Sequence, residues 1–350
     1  MLRPTLRNVG VVVDDLNDRM VDYAELLGIA TWRCWDVTGK SGRLRGRSLD
    51  GSSWRVAEGS TEGGVVFQLI EPLTGDSSFA EFLMQRGQGI HHLTLASLDA
   101  DSYETLRANL AEKGIVPAQH ASVASRDQVL FDTRASVGGW YLAVDVETAS
   151  GGENGSVADR VVELPPTSAA RKSLPVARVA HFGVVVRDVF AALDGFAALF
   201  GEGQWEVYNW GSAQGMLTDT QYHGRPVEHA YVGAMARIGD VEFEVVQPTF
   251  GPTHYREDFL DTVGEGIHHL YLAEYDEGLV SREGLRDWAR EHGLPVVMSG
   301  MLCNGAADFE YVDTAHQLGG FVVEGSGMVG DASPSVFVPN FMVDYGEGPT

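Results

Sequence analysis

The chain repeats itself, and the repeat leaves it few folds to choose from. FLMQRGQGIHHL from Phe82 and FLDTVGEGIHHL from Phe259 share FL, a Gly and GIHHL at the same spacing, an offset of 259 − 82 = 177. NVGVVV from Asn8 matches HFGVVV from His181 at 181 − 8 = 173, and FQLIEP from Phe67 matches FEVVQP from Phe243 at 243 − 67 = 176. Three segments at nearly one offset mark a duplication, so each half is a unit that tolerates a copy of itself beside it. Helical spacing repeats as well. Leu16, Met20, Tyr23 and Leu27 form one apolar stripe, and Val189, Leu193, Phe196 and Phe200 repeat it. Gly28 and Gly201 follow the two stripes as helix stops.

Each half divides again. The order strand–helix–strand–strand–strand starts near Leu6, Gly89, Val179 and Gly266, which predicts an α+β fold of four βαβββ units in two tandem domains. Residues 1–147 are expected to form the first domain and residues 177–326 the second. Residues 148–176, rich in Gly, Ser and Pro, read as a linker, and residues 327–350, without periodicity, as a tail along the surface.

Charge and cysteine usage narrow the function. Acidic residues number 49 against 25 basic ones, a formal charge of −24, which repels phosphate backbones and argues against nucleic acid as a partner. Cys34 and Cys303 alone make no disulfide framework. No secretory pattern opens the chain and no apolar run reaches membrane-spanning length, so a cytoplasmic protein that meets a small molecule, not a membrane, is expected. P-loop, dinucleotide and nucleophile-elbow motifs are missing.

The second half carries the chemistry. His181 opens its first strand, Glu244 lies in VEFEVVQP, His269 is the second His of GIHHL, and Glu324 ends GGFVVEG. Two units thus each supply one His near the first strand and one Glu on the last. If the units curve round a shared cleft, two imidazoles and two carboxylates converge, a set suited to a divalent first-row metal with open positions for substrate. An unpaired Glu244 between Phe243 and Val245 would be costly to bury, so a cation is its natural partner. His91 and His268, the first of each His pair, are expected on the opposite face of their strands. Tyr208 and Trp210 share a strand face and are candidate pocket walls, with Trp205 on the other face. Residues 211–226, which carry Tyr222, His223 and Arg225, read as a flap over the cleft, with Arg225 placed to meet a substrate carboxylate.

In HFGVVV, IGDVEFEVVQP, GEGIHHLYL and LGGFVVEG the chain resembles the vicinal oxygen chelate superfamily, which includes glyoxalase I, methylmalonyl-CoA epimerase and the extradiol dioxygenases. The resemblance spans roughly residues 6–146 and 179–325, and GEGIHHL is most similar to the epimerase branch. It implies metal ligation by His181, Glu244, His269 and Glu324, with one divalent ion (Zn, Co, Ni, Mn or Fe). It also implies an isomerase, epimerase or lyase working through a metal-stabilised enolate, with Glu244 or Glu324 as the base. An Fe(II) extradiol-type dioxygenase using His181, His269 and Glu324 is the alternative, and a non-enzymatic binder similar to bleomycin-resistance proteins is the third. Family members pair units within or between chains, so a homodimer is compatible. The first half departs from the pattern: Asn8, Gln68, His92 and Ala143 stand at the matching positions, with Asp145 two residues on as a substitute carboxylate.

Overall fold

Both halves curl one mixed sheet around a cleft and cover its outer face with helices. The computed structural model describes residues 2–123, 126–147, 158–165, 172–201, 203–273 and 281–346. Each half builds an eleven-stranded sheet, and the two sheets run in the same order strand for strand.

The repeat starts fall where the spacing predicts, in strands Asn8–Val12, Gly89–Leu98, Arg178–Val185 and Gly266–Ala273. The apolar stripes form helices Leu16–Leu27 and Val189–Phe200, each N-capped by an Asp side chain and stopped by a left-handed Gly, Gly28 or Gly201. In each sheet the two unit-opening strands pair antiparallel at the centre. The last strand of each unit then joins its own opening strand in parallel, Val66–Thr74 and Tyr141–Val146 in the first half, Val241–Phe250 and Val322–Met328 in the second. The units therefore pair within the chain.

Helices cross between halves. Arg19 and Tyr23 of helix Leu16–Leu27 donate to the carbonyls of His316 and Leu318. The short helix Arg134–Val137 of the first half lies against helix Val189–Phe200 of the second. Trp140, fully buried, stacks on Phe243 at 5.9 Å and meets Phe196 at 6.2 Å. One apolar core consequently runs through both halves.

Two expectations need correction. The linker contains strand Arg160–Glu163, which adds to the sheet edge at Thr31–Thr38, while its residues 148–157 and 166–171 lie outside the described residues. The tail contains strand Phe341–Asp344, which pairs with Gln204–Gly211 at the matching edge of the second sheet, while residues 347–350 lie outside the described residues. Both edge strands are short and without strong alternation, so periodicity could not find them. Among the described residues no helix is long and apolar enough to cross a membrane.

The shared core predicts joint stability. Trp140→Ala removes a buried aromatic that touches the other half, and should cost about 3–5 kcal/mol. Calorimetry should show both halves melting together at the lower temperature; a loss confined to one of two separate transitions would contradict a common core.

Candidate metal centre

Four adjacent central strands of the second sheet each deliver one donor. Gly183 lies level with Glu244 on one side and His269 on the other. Two residues along, His181 lies level with Tyr271, which lies level with Glu324. Each imidazole thus sits two strands from a carboxylate, and all four side chains point into the cleft. His181 Nε2 is 3.0 Å from Glu324 Oε2 and 3.7 Å from Glu244 Oε2; His269 Nε2 is 3.2 Å from each. All four donor atoms lie within 4.8 Å of one another, and all four residues are buried.

That set fits a divalent cation. Ligand bonds of about 2.0–2.2 Å to N and O donors place neighbouring donors about 3.0–3.6 Å apart, the spacing seen here. Two carboxylates and two imidazoles also leave negative charge that a cation would neutralise at little cost in burial. Protons take part of that role in the metal-free protein. Burial alone would lower His269, but hydrogen bonding to Glu244 and Glu324 reverses it and lifts the imidazole to about 9. Burial would raise Glu324, yet hydrogen bonds from His181 and His269 hold it well below the usual carboxylate range.

The expected opposite-face placement of His268 does not hold. The strand bulges between Gly183 and Val184, so that His268 is an extra residue between the paired Ile267 and His269. A bulge breaks the two-residue alternation. Both imidazoles face the same side, with His268 Nδ1 3.0 Å from His269 Nδ1. The first half repeats this, with His91 Nδ1 3.1 Å from His92 Nδ1. Gly183 is a steric requirement of the site, because a methyl group there would overlap the His269 ring.

Above the donors opens a cavity of about 640 Å³ reached by His181, Glu244 and Glu324. Tyr208 and Trp210 line it as expected, stacked at 5.3 Å, while Trp205 packs in the core on the other face. Tyr222 and Arg225 do not line it. Residues 217–226 form a hairpin at the sheet edge, where strand Leu217–Tyr222 pairs with Val296–Leu302, Tyr222 donates to Asp258 and Arg225 is exposed on the two-residue return strand. Sequence reasoning missed Tyr231, Tyr271 and Tyr311 on the cavity wall. Tyr271 was within reach, two residues past His269 on the same strand; the other two carried no signal. Tyr311 accepts or donates a 2.6 Å hydrogen bond with the buried Tyr255.

The first half fills the same space. Register equates Ala143 with Glu324, and Asn8 turns its side chain to Thr94 at 2.9 Å. Arg126 pairs with Glu58 and lies 3.5 Å from Asp145, and Gln68 donates to Glu58 at 3.0 Å. Asp145 therefore does not stand in as a metal ligand; a guanidinium already holds it.

A profile of the Glyoxalase/Bleomycin resistance protein/Dioxygenase superfamily matches residues 7–131. The match lies within the first half of the chain. No curated protein sequence matches this chain significantly. Among solved structures, a triple mutant of 4-hydroxymandelate synthase from Streptomyces coelicolor is similar at a TM-score of 0.57 and 14% identity, with 96% of each chain covered. A xylose isomerase-like TIM barrel/4-hydroxyphenylpyruvate dioxygenase fusion protein is similar at a TM-score of 0.50 and 9% identity, over 95% of this chain and 50% of that one. At those identities the likeness is one of fold.

Two outcomes follow from the geometry. A metal ion must displace the proton on His269, so affinity for Zn(II) should climb as pH rises from the ordinary histidine value of 6.5 toward about 9, then level off. In the metal-free protein the sign is opposite. The stabilisation from the raised imidazole is complete below 6.5 and is lost as pH climbs through about 9, which melting curves with and without metal should resolve. Gly183→Ala should lower metal affinity at least about tenfold by tilting His269, whereas Gly10→Ala, beside His92, should cost stability of about 1–3 kcal/mol and leave metal binding unchanged.

Proposed function

We propose that this chain is a divalent-metal-dependent enzyme that moves a proton beside a carbonyl of a small oxygenated substrate, as an isomerase, epimerase or lyase. The observation that carries the reading is the convergence of His181, Glu244, His269 and Glu324 on one point at the floor of the cavity. His181 and His269 would hold the metal with the two carboxylates. The bound ion supplies Lewis acidity for the negative charge that develops on a substrate oxygen. Glu244 and Glu324 are the bases in reach, each able to take a proton into the cleft on leaving its place in the cluster. Tyr208 and Trp210 offer a stacked wall for an apolar or flat substrate body and exclude water from the charge below it. Four donors favour this chemistry over ring cleavage with O₂, which needs two His, one carboxylate and more open positions.

Elemental analysis tests the centre: wild type should carry about one metal equivalent, and His181→Ala and Glu244→Ala should lose it. Activity is tested by incubating the Zn(II), Co(II), Ni(II) and Mn(II) forms with a panel of hydroxycarbonyl, thioester and hemithioacetal compounds in D₂O. Proton NMR should show exchange at the carbon beside the carbonyl, reduced at least about a hundredfold in Glu244→Gln or Glu324→Gln. Ring-cleavage colour from catechols with the Fe(II) form in air would overturn the reading in favour of a dioxygenase. Melting unchanged by any of these metals would favour a binding protein instead.

A further inference from the structure

A line of polar groups runs from the back of His269 to the surface. His269 Nδ1 meets His268 Nδ1 at 3.0 Å, and His268 Nε2 meets His254 Nδ1 at 2.7 Å. His254 Nε2 then faces Asp258 Oδ2 at 3.8 Å, an electrostatic contact longer than a hydrogen bond. Tyr222 and His223 close on the same carboxylate oxygen at 2.8 and 2.9 Å. His268 and His269 are all but fully buried, while Asp258 is about a third exposed. His254 and Asp258 share a π-helical turn, His254–Leu260, a local geometry often found at functional sites.

With His269 neutral, as a metal ligand must be, proton counting leaves two arrangements. If His269 turns its Nε2 lone pair to the cluster, its proton is on Nδ1 and His268 Nδ1 accepts it. His268 then carries its proton on Nε2 and donates to His254, whose proton points at Asp258. In the reverse arrangement every proton shifts to the other nitrogen and His269 aims an N–H at the place a cation needs. Only the first arrangement puts a proton against the Asp258 carboxylate. We propose that Asp258, acting through His254 and His268, fixes the tautomer in which His269 offers Nε2 to the four-donor cluster, so that all three are positioning residues for a metal ligand.

The duplication supplies a control. In the first half His91 meets His92 in the same way, but Ser78 stands where His254 does, one residue past the matching N-caps Ser77 and Thr253, and His91 Nε2 has no side-chain partner among the described residues. The relay continues only in the half that has four donors. Burial pushes both His268 and His254 below the ordinary histidine value, the direction that favours the neutral rings a tautomer relay uses.

The inference rests on reading the four donors as ligands, and the test separates the two. Long-range ¹H–¹⁵N NMR of the metal-free full chain at about pH 10, above the value of about 9 where His269 gives up its second proton, should place the His268 proton on Nε2; a proton on Nδ1 overturns the relay whatever the protein binds. Co(II) titration followed by visible absorption should then show affinity falling about ten- to hundredfold in His254→Leu and Asp258→Asn, the range typical for partners that orient a metal-bound imidazole. His254→Asn, which keeps an acceptor near the Nδ1 position, should recover most of the loss, and His91→Leu should change nothing. Equal affinity and an identical Co(II) spectrum in wild type, His254→Leu and Asp258→Asn would also overturn it. Absence of Co(II) binding by wild type would instead overturn the metal reading and leave the NMR result to decide the relay.

Discussion

Everything about the site depends on how two strands pair at the middle of the second sheet. Because Arg178–Val185 and Gly266–Ala273 run antiparallel, the level of His181 on one is the level of Tyr271 on the other, and the level of His269 is that of Gly183. Each then hands the row on to a parallel neighbour that carries a Glu. A slip of one residue in that central pairing would turn His181 and His269 to opposite faces and scatter the set. The donors are thus placed by sheet register, on rigid elements, with no loop among them.

The two halves share this frame and use it differently. Across the register, Glu58, Arg126, Gln128 and Asp145 of the first half correspond to Met235, Ala307, Phe309 and Ser326 of the second. The first set closes its cleft with a guanidinium held between carboxylates; the second lines an open cavity with small or apolar groups. A buried ion pair is internally satisfied and asks for no ligand. Two carboxylates facing two imidazoles are not, and that difference separates a structural half from a candidate catalytic one.

Much of this was legible in the sequence because it lay in patterns that recur. Three matched segments expose the duplication, and the matched strand starts alone put His181, Glu244, His269 and Glu324 at equivalent points. What escaped was set by geometry that leaves no periodic trace. The bulge at His268 reverses the side-chain face that simple alternation assigns. The hairpin containing Tyr222 and Arg225 reads as a loop because its strand is short and half exposed. Edge strands Arg160–Glu163 and Phe341–Asp344 are only four residues each, and their pairing is decided by partners far away in the chain.

The bulge also makes the two imidazoles unequal. His181 has Tyr271 against its ring at 5.2 Å, and the Tyr271 hydroxyl donates to the Ser326 carbonyl, so packing holds that side chain. His269 is gripped by Gly183 below and by His268 behind, and the extra residue of the bulge is what brings His268 there. A regular strand would turn residue 268 to the helix-covered face, leaving a buried N–H on His269 to find another acceptor. The same bulge survives in the first half, where no cluster needs it, which dates it to the unit that was duplicated. The partners His254 and Asp258 belong to one copy only. The chain of groups behind His269 is thus confined to the half in which the four donors converge.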